Sequence, residues 1–402
     1  MGFFMGNISS DWLPDYITNE TLSRHTIYGV AFDGATHKGV RLYDAEGKNW
    51  MPSSGTNPGV DDFKNLDPFK FRRVLLKPNT SGGSCTIDSY FDELNVSLSD
   101  YNAKAVSEEL DRFIEYKPYY YSRPNKWTWL ISPDYLDGFY PCPAIARGGK
   151  VLSKWYMGEY MPNDNYRMLE GQYPRVSTTN ADFRTNLRKK GYRLSDYANY
   201  QSVLMLALVK YADLNFQSCL GPGWNSGNSR QPSNGDTILG DDGYVNLSNS
   251  SIKVMGITDF YGNVWKNCDA TFEYGGYVYI NDDLDNITAW PTMSTWQAMG
   301  YKKTNIALAS GYGAYISDIS YDSQFPFSAY PIAGSGDSIN PIGDSYYTDN
   351  DATMRSVFLG GHAWGGLVAG PFAWASNSEL LYAHTSVGAL ASAFPVGSAS
   401  SL

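Results

Sequence analysis

Four histidines, four cysteines and 41 acidic side chains hold most of the metal-binding, nucleophilic and proton-transfer chemistry open to this 402-residue chain. A three-histidine metal site would need nearly the whole set of His25, His37, His362 and His384, and no His-Glu-x-x-His pair is present. Cys85, Cys142, Cys219 and Cys268 form no Cys-x-x-Cys, which excludes a zinc ribbon or a thioredoxin-type dithiol. They read as buried free thiols. Gly47-Lys48 lacks the earlier glycine of a phosphate-binding loop, and no Gly-x-Ser-x-Gly elbow marks a serine hydrolase. Asp282-Asp283-Leu284-Asp285-Asn286 groups oxygen ligands but lacks the central Gly and terminal Glu of an EF-hand. Asp241-Asp242-Gly243 reads as a turn. Among so many acids, any glycosidase-type pair is arbitrary without geometry. The expectation is a protein with no catalytic constellation, no metal and no cofactor.

Composition points toward recognition. Lys and Arg number 31 against 41 acids, a formal charge of −10 that disfavours a nucleic-acid partner. Charged residues are only 18% and aromatics 15%, with 32 Tyr and 11 Trp, so the chain folds. No apolar run approaches 18 residues, so no membrane insertion is expected. Met1 to Gly6 lacks the basic region of a signal peptide, and Gly6 stands where myristoylation needs Ser or Thr. Synthesis in a cytoplasm follows, and Asn-x-Ser/Thr sites such as those at Asn79 and Asn286 read as chance. Tyr, Trp, Gly, Asn and Ser in excess suit a recognition surface. From Ser356 to the last residue Glu379 carries the one formal charge, while small residues alternate with Trp364, Phe372 and Trp374. That pattern also suits a closing hairpin in the core, where Gly permits close backbone approach.

The elements that position these residues follow from local chemistry. Residues 27–32 and 39–43 read as short strands, 48–68 as loop, and 69–76 as a strand. Residues 113–121 read as an extended segment that Pro118 assigns to a sheet edge or bulge. Residues 154–160 and 277–280 read as strands. Residues 177–190 predict a helix capped by Thr179, with Phe183 and Leu187 on one face, basic residues at its end and Gly191 as its stop. A longer helix is predicted over 195–218, stopped by Gly221-Pro222. Residues 222–243 read as a long loop, and no internal repeat is present.

In order along the chain stand Trp155-Tyr156-Met157-Gly158-Glu159-Tyr160, two helices, Asp259-Phe260-Tyr261-Gly262-Asn263-Val264-Trp265, Gly360-Gly361-His362-Ala363-Trp364, Ala369-Gly370-Pro371-Phe372 and Ser386-Val387-Gly388-Ala389. This order resembles the C-type-lectin-like fold of formylglycine-generating enzymes and of variable proteins diversified by retroelements. Within that group it is most similar to the tropism-determining receptor-binding proteins of phage tails. Tyr28-Gly29-Val30 and Ile114 to Tyr121 also look like segments of phage tail proteins. The likeness covers residues 141–402, and 1–140 more loosely. It departs from the enzymes: Lys266-Asn267 follows Trp265, Phe358-Leu359 precedes the glycines, and no cysteine follows Cys268. It also departs from calcium-dependent lectins, since Gln231-Pro232-Ser233 lacks the acid.

The resemblance implies an α+β fold: a β-rich region over 1–140 for virion attachment or oligomerisation, then a C-type-lectin-like domain over 141–402 with two helices packed on short twisted antiparallel strands. It implies a non-enzymatic virion protein, a tail-fibre or head-fibre tip. Its partners would be a host surface receptor (protein or glycan) and, through 1–140, other virion proteins, with a homotrimer as the assembly. The receptor face carried over from the variable proteins comprises His362, Trp364, Phe372, Trp374, Ser376, Asn377, Glu379, Tyr382 and His384. Trp374, Asn377 and Tyr382 are expected on the surface, while Trp364 and Phe372 serve equally well as core. A decoration protein of the capsid or tail, with these aromatics buried between subunits, is the alternative. A metal oxidase of the formylglycine-generating type is a third reading.

Overall fold

In the computed structural model, residues 14, 16–225, 227, 229–283, 287 and 289–396 are described. The fold is mixed and strand-rich, with the long helix Tyr197–Tyr211 at its centre. Every residue of this helix is buried, as an all-round apolar helix requires. Asp196 caps it, accepting from the Asn199 N–H at 2.8 Å, and Arg147 grips Asp196 and the Asn199 side chain. The helix ends at Tyr211, with Ala212 in the left-handed region at φ 50°. The single helix expected over 195–218 is therefore two. Asp213 accepts from the Asn215 N–H, Asn215 caps a second helix at Ser218 N–H, and Phe216–Leu220 follows. Short polar side chains that bond nearby backbone ended the first helix well before Gly221.

The helix expected over 177–190 is present as Asn180–Arg188, with Thr179 as its cap and Phe183 and Leu187 buried. Gly191 follows at φ 78°, where an added Cβ would lie 2.5 Å from the Cys85 nitrogen.

A six-stranded antiparallel sheet runs in the order Tyr192–Leu194, Ala391–Ala393, Trp155–Gly158, Asp111–Tyr116, Phe71–Lys77, Thr86–Tyr90. It joins strands from both sides of position 140, and one apolar core extends from Tyr28 to Leu390. The region boundary drawn at 140 from sequence is thus crossed by ladder hydrogen bonds. Pro118 also differs from expectation. It lies between Asp111–Tyr116, an inner strand here, and Tyr120–Ser122, an inner strand of a separate five-stranded sheet. A proline cannot donate to a ladder, so it marks the crossing between sheets.

Buried charges tie these layers together. Glu159, fully buried, accepts from Arg73 Nε at 2.9 Å and Arg112 Nε at 3.0 Å. Arg112 forks onto Asp236 at 2.6 and 2.8 Å, Arg73 reaches Asp241 at 2.8 Å, and Tyr160 donates to Asp236 at 2.9 Å. Two sheet strands are thereby bonded to the long loop 222–243, which has little regular structure of its own. Bidentate, charge-assisted bonds supply the geometry that backbone ladders do not. Nearby Lys253, buried with no hydrogen bond to its Nζ, is held down to about 8 by burial, with Arg73 adding repulsion.

Removing one partner of such a network leaves buried charge uncompensated. Glu159→Gln is expected to destabilise the fold by about 3–5 kcal/mol, read from guanidinium unfolding of the full chain. A loss within about 0.5 kcal/mol, the size of an ordinary surface change, would mean the network is not under tension.

Candidate functional site

The site is built on a large sheet in the order Lys302–Ala307, Tyr277–Ile280, Trp265–Tyr274, Arg355–Leu359, Trp374–Glu379, Ser345–Thr348, Gly311–Tyr315, with Val387–Ala389 pairing parallel to Trp265–Tyr274. Side chains alternate between its faces. Leu359, Trp374 and Tyr346 are register partners and enter the central core. One step along each strand, Phe358, Ala375 and Tyr347 are partners on the other face, grouped with Trp265, Ala373 and Val387. Tyr312 pairs with Tyr347 and extends that second face.

Two loops wall it in. The first leaves Leu359 through Gly360 and Gly361, both at positive φ; an added Cβ on Gly361 would sit 2.4 Å from Ala369 Cβ. It carries His362 and Trp364. The second loop carries Tyr382, His384 and Ser386. Between them lies a groove of about 340 Å³, lined also by Trp265, Tyr312, Tyr347, Phe358, Asn377 and Ser378.

The rings form a connected set. His362 lies 5.5 Å from Trp364 at 90°, Trp364 lies 5.9 Å from His384 at 80°, and Tyr382 stacks on His384 at 5.8 Å and 15°. Trp265 meets His362 at 5.7 Å and Tyr347 at 6.2 Å, and Tyr312 meets Tyr347 edge-on at 5.0 Å. Edge-to-face pairs are a favourable ring geometry, so the walls are held without a salt bridge. Yet Tyr312 is 77% exposed, Trp364 46% and Tyr382 37%, large apolar areas for three rings of one groove to leave in water.

Both histidines are oriented in the same way. The Trp364 N–H donates to His362 Nδ1 at 3.2 Å, and the Ser386 N–H donates to His384 Nδ1 at 3.2 Å, with the Ser386 hydroxyl 2.8 Å from that nitrogen. An accepting Nδ1 leaves the proton of a neutral ring on Nε2. His362 is pushed down to about 4, first by burial and then by His384 and Lys266, so it is neutral at pH 7. Lys266 is buried behind it, donates to the Gly262 carbonyl at 2.6 Å, and is itself lowered to about 7 by burial.

The structure brings together five of the nine sequence-selected residues: His362, Trp364, Asn377, Tyr382 and His384. Three belong to the interior. Trp374, expected on the surface, is 1% exposed and packs edge-on against Tyr197 and Tyr330 at 5.6 and 5.9 Å, because strand alternation turns it to the core face. Its Nε1 donates to Ser376 Oγ at 3.1 Å, and Ser376 is fully buried. Phe372 is buried, and its N–H donates to Asp344 at 2.8 Å. Burial raises Asp344 to about 7 despite that bond. Glu379 is exposed at the strand end opposite Arg355, outside the groove lining.

Trp265, Tyr312, Tyr347 and Phe358 belong to the groove but were not selected from sequence. Trp265 ends the Asp259–Trp265 segment quoted above, and Gly311-Tyr312-Gly313-Ala314-Tyr315 shows tyrosines alternating with small residues. Tyr347 and Phe358 give no such signal. Cys85, Cys142, Cys219 and Cys268 are free thiols, and none of them is part of the groove lining. Among the described residues, no three His, Cys, Asp or Glu side chains converge as a metal site, and no helix is long and apolar enough to cross a membrane. Leu284, Asp285 and Asn286 of the acidic cluster lie outside the described residues.

No family model and no curated protein sequence matches the chain. Solved structures do. The chain is similar to the major tropism determinant. The I1 variant matches at 11% identity over 92% of this chain and 72% of its own, with a TM-score of 0.29. The U1 and M1 variants each match at 10% identity over 94% of this chain and 85% of theirs, with TM-scores of 0.30. At such scores no residue role transfers from them.

Two predictions follow from the two faces and the neutral ring. Trp374→Ala is expected to cost about 3–5 kcal/mol in denaturant unfolding, whereas Trp364→Ala changes stability by less than about 0.5 kcal/mol. Equal costs would contradict the alternation. In an NMR titration of the histidine rings, His362 remains neutral at pH 5, against an ordinary ring near 6.5. Because its folded value lies below the unfolded one, its contribution to stability is complete above about 6.5 and is lost as pH falls toward 4. Midpoint protonation of His362 near 6.5 would remove that account.

Proposed function

We propose that this chain is a non-enzymatic receptor-binding protein of a phage virion, with the aromatic groove as its contact with the host surface. The observation that carries the reading is a cleft walled by exposed Tyr312, Trp364 and Tyr382 on a sheet, with no carboxylate, lysine, arginine or thiol in its lining among the described residues. Rigid aromatics offer large contact area with little rotamer freedom to lose, and Asn and Ser beside them adapt their hydrogen bonds. A groove lined mainly by aromatic and small uncharged side chains is suited to holding a partner.

The ordered sequence segments support the same reading and extend it to a C-type-lectin-like architecture. It places contacts with other virion proteins on exposed surfaces of residues 1–140. Display as a homotrimer would convert weak single sites into firm attachment through effective concentration.

The test uses the full chain, because strands 71–77, 86–90 and 111–116 complete the six-stranded sheet. Fluorescently labelled protein is applied to a panel of bacterial strains beside a Trp364→Ala, Tyr382→Ala double variant. Retention on particular strains, reduced at least tenfold in the variant, is the expected result. Equal retention of both proteins removes the groove from the function, and failure to bind any strain removes the reading.

A further inference from the structure

We infer that the groove is a metal-independent site for neutral sugar rings, so that the host-surface ligand is an uncharged glycan. This rests on the binding role proposed above and names its ligand class.

The lining excludes charge on both sides of the contact. Among the described residues, no acid, lysine or arginine borders it, although 18% of the chain is charged. His362 is neutral, and Lys266 donates inward to the Gly262 carbonyl. An anionic ligand would find no cation to neutralise it, and a cationic one no carboxylate. Desolvating an unpaired charge is costly, so such ligands are selected against.

The polar atoms that do line the groove suit hydroxyl groups. Among the described residues, the side chains of Asn377, Ser378, Tyr312 and Tyr382 make no hydrogen bond within the protein. His362 and His384, each held at Nδ1 by a backbone N–H two residues on, present Nε2 as a donor. A sugar hydroxyl both donates and accepts, so it can satisfy the Asn amide, the hydroxyls and the imidazole N–H together. A purely apolar ligand would leave them unpaired.

Shape completes the argument. The C–H faces of a pyranose are flat and apolar and stack on aromatic rings. Trp364, Tyr382 and Tyr312 offer three such rings, each exposed and each braced by a neighbouring ring: Trp364 edge-on by His362 and His384, Tyr312 edge-on by Tyr347, and Tyr382 stacked on His384. About 340 Å³ sits at the small end of the roughly 300–1,000 Å³ range of ligand pockets, room for one or two rings. A protein partner of standard size would need about 800 Å² of matching surface on each side, with a polar rim.

The full chain is tested on an array of neutral oligosaccharides of hexoses and N-acetylhexosamines, printed beside sialylated and sulfated ones, with and without EDTA. Expected is binding to a subset of the neutral sugars that EDTA leaves unchanged and that Trp364→Ala and Tyr312→Ala each weaken at least tenfold. Binding confined to the anionic sugars, binding abolished by EDTA, or no binding to any printed sugar overturns the inference. A cell arm separates it from the receptor reading. Periodate treatment of a bound strain, which cleaves vicinal diols, should abolish retention, and protease treatment should spare it. The reverse pattern overturns the glycan ligand while leaving a protein receptor in place.

Discussion

The period of two along strand Trp374–Glu379 is the constraint on which the groove depends. Trp374 is fixed in the core between Tyr197 and Tyr330, so Ala375 has to face outward. Its small side chain leaves space above the sheet for rings from neighbouring strands and loops. A slip of one residue would bury Ala375, expel Trp374 and fill the cleft, exchanging every side chain between the faces. The weight of buried tryptophan surface on one face therefore holds open the space on the other.

What anchors Trp374 is in turn anchored from beneath. Tyr197 begins the helix whose cap is gripped by Arg147, and the same helix holds Lys210 against Asp61 and Asp242 near its other end. The Glu159 network does the corresponding task for the sheet and loop on the far side. These buried pairs contribute placement more than net stability, because the cost of dehydrating each ion offsets most of its attraction. They also account for the irregularity of the chain. Loops such as 222–243 have few backbone ladders and are located by side-chain bonds instead.

Local signals in the sequence were legible where several of them agree. Thr179, Asp182, Phe183, Leu187 and Gly191 gave the Asn180–Arg188 helix closely, because cap, face and stop agree. Strands Gly39–Tyr43 and Tyr277–Ile280 were read with their observed limits. Strand Trp265–Tyr274 was not read as such. It is buried on both faces and carries Lys266, Asn267, Asp269, Thr271 and Glu273 inside, so no alternation of polarity marks it. The same reason explains the site. His362, Trp364, Asn377, Tyr382 and His384 were reached through the resemblance to the variable proteins, but neither that likeness nor composition can say which of two neighbouring aromatic positions faces water. Trp374 went astray for that reason. Tyr312 and Tyr347 join the groove through strand pairings from a distant part of the chain, and pairings of the same long-range kind cross position 140.

Strand Ala391–Ala393 lies inside the six-stranded sheet, flanked by Trp155–Gly158 and Tyr192–Leu194, which have no ladder with each other. Until the ribosome has released residues 391–393, those two strands stand apart with a gap between them and unsatisfied backbone on each rim. This strand is a keystone rather than an appendage. Closure of this sheet therefore waits on residues 391–393, and a nascent chain interrupted before them would be handed to chaperones or proteases with its arch unclosed.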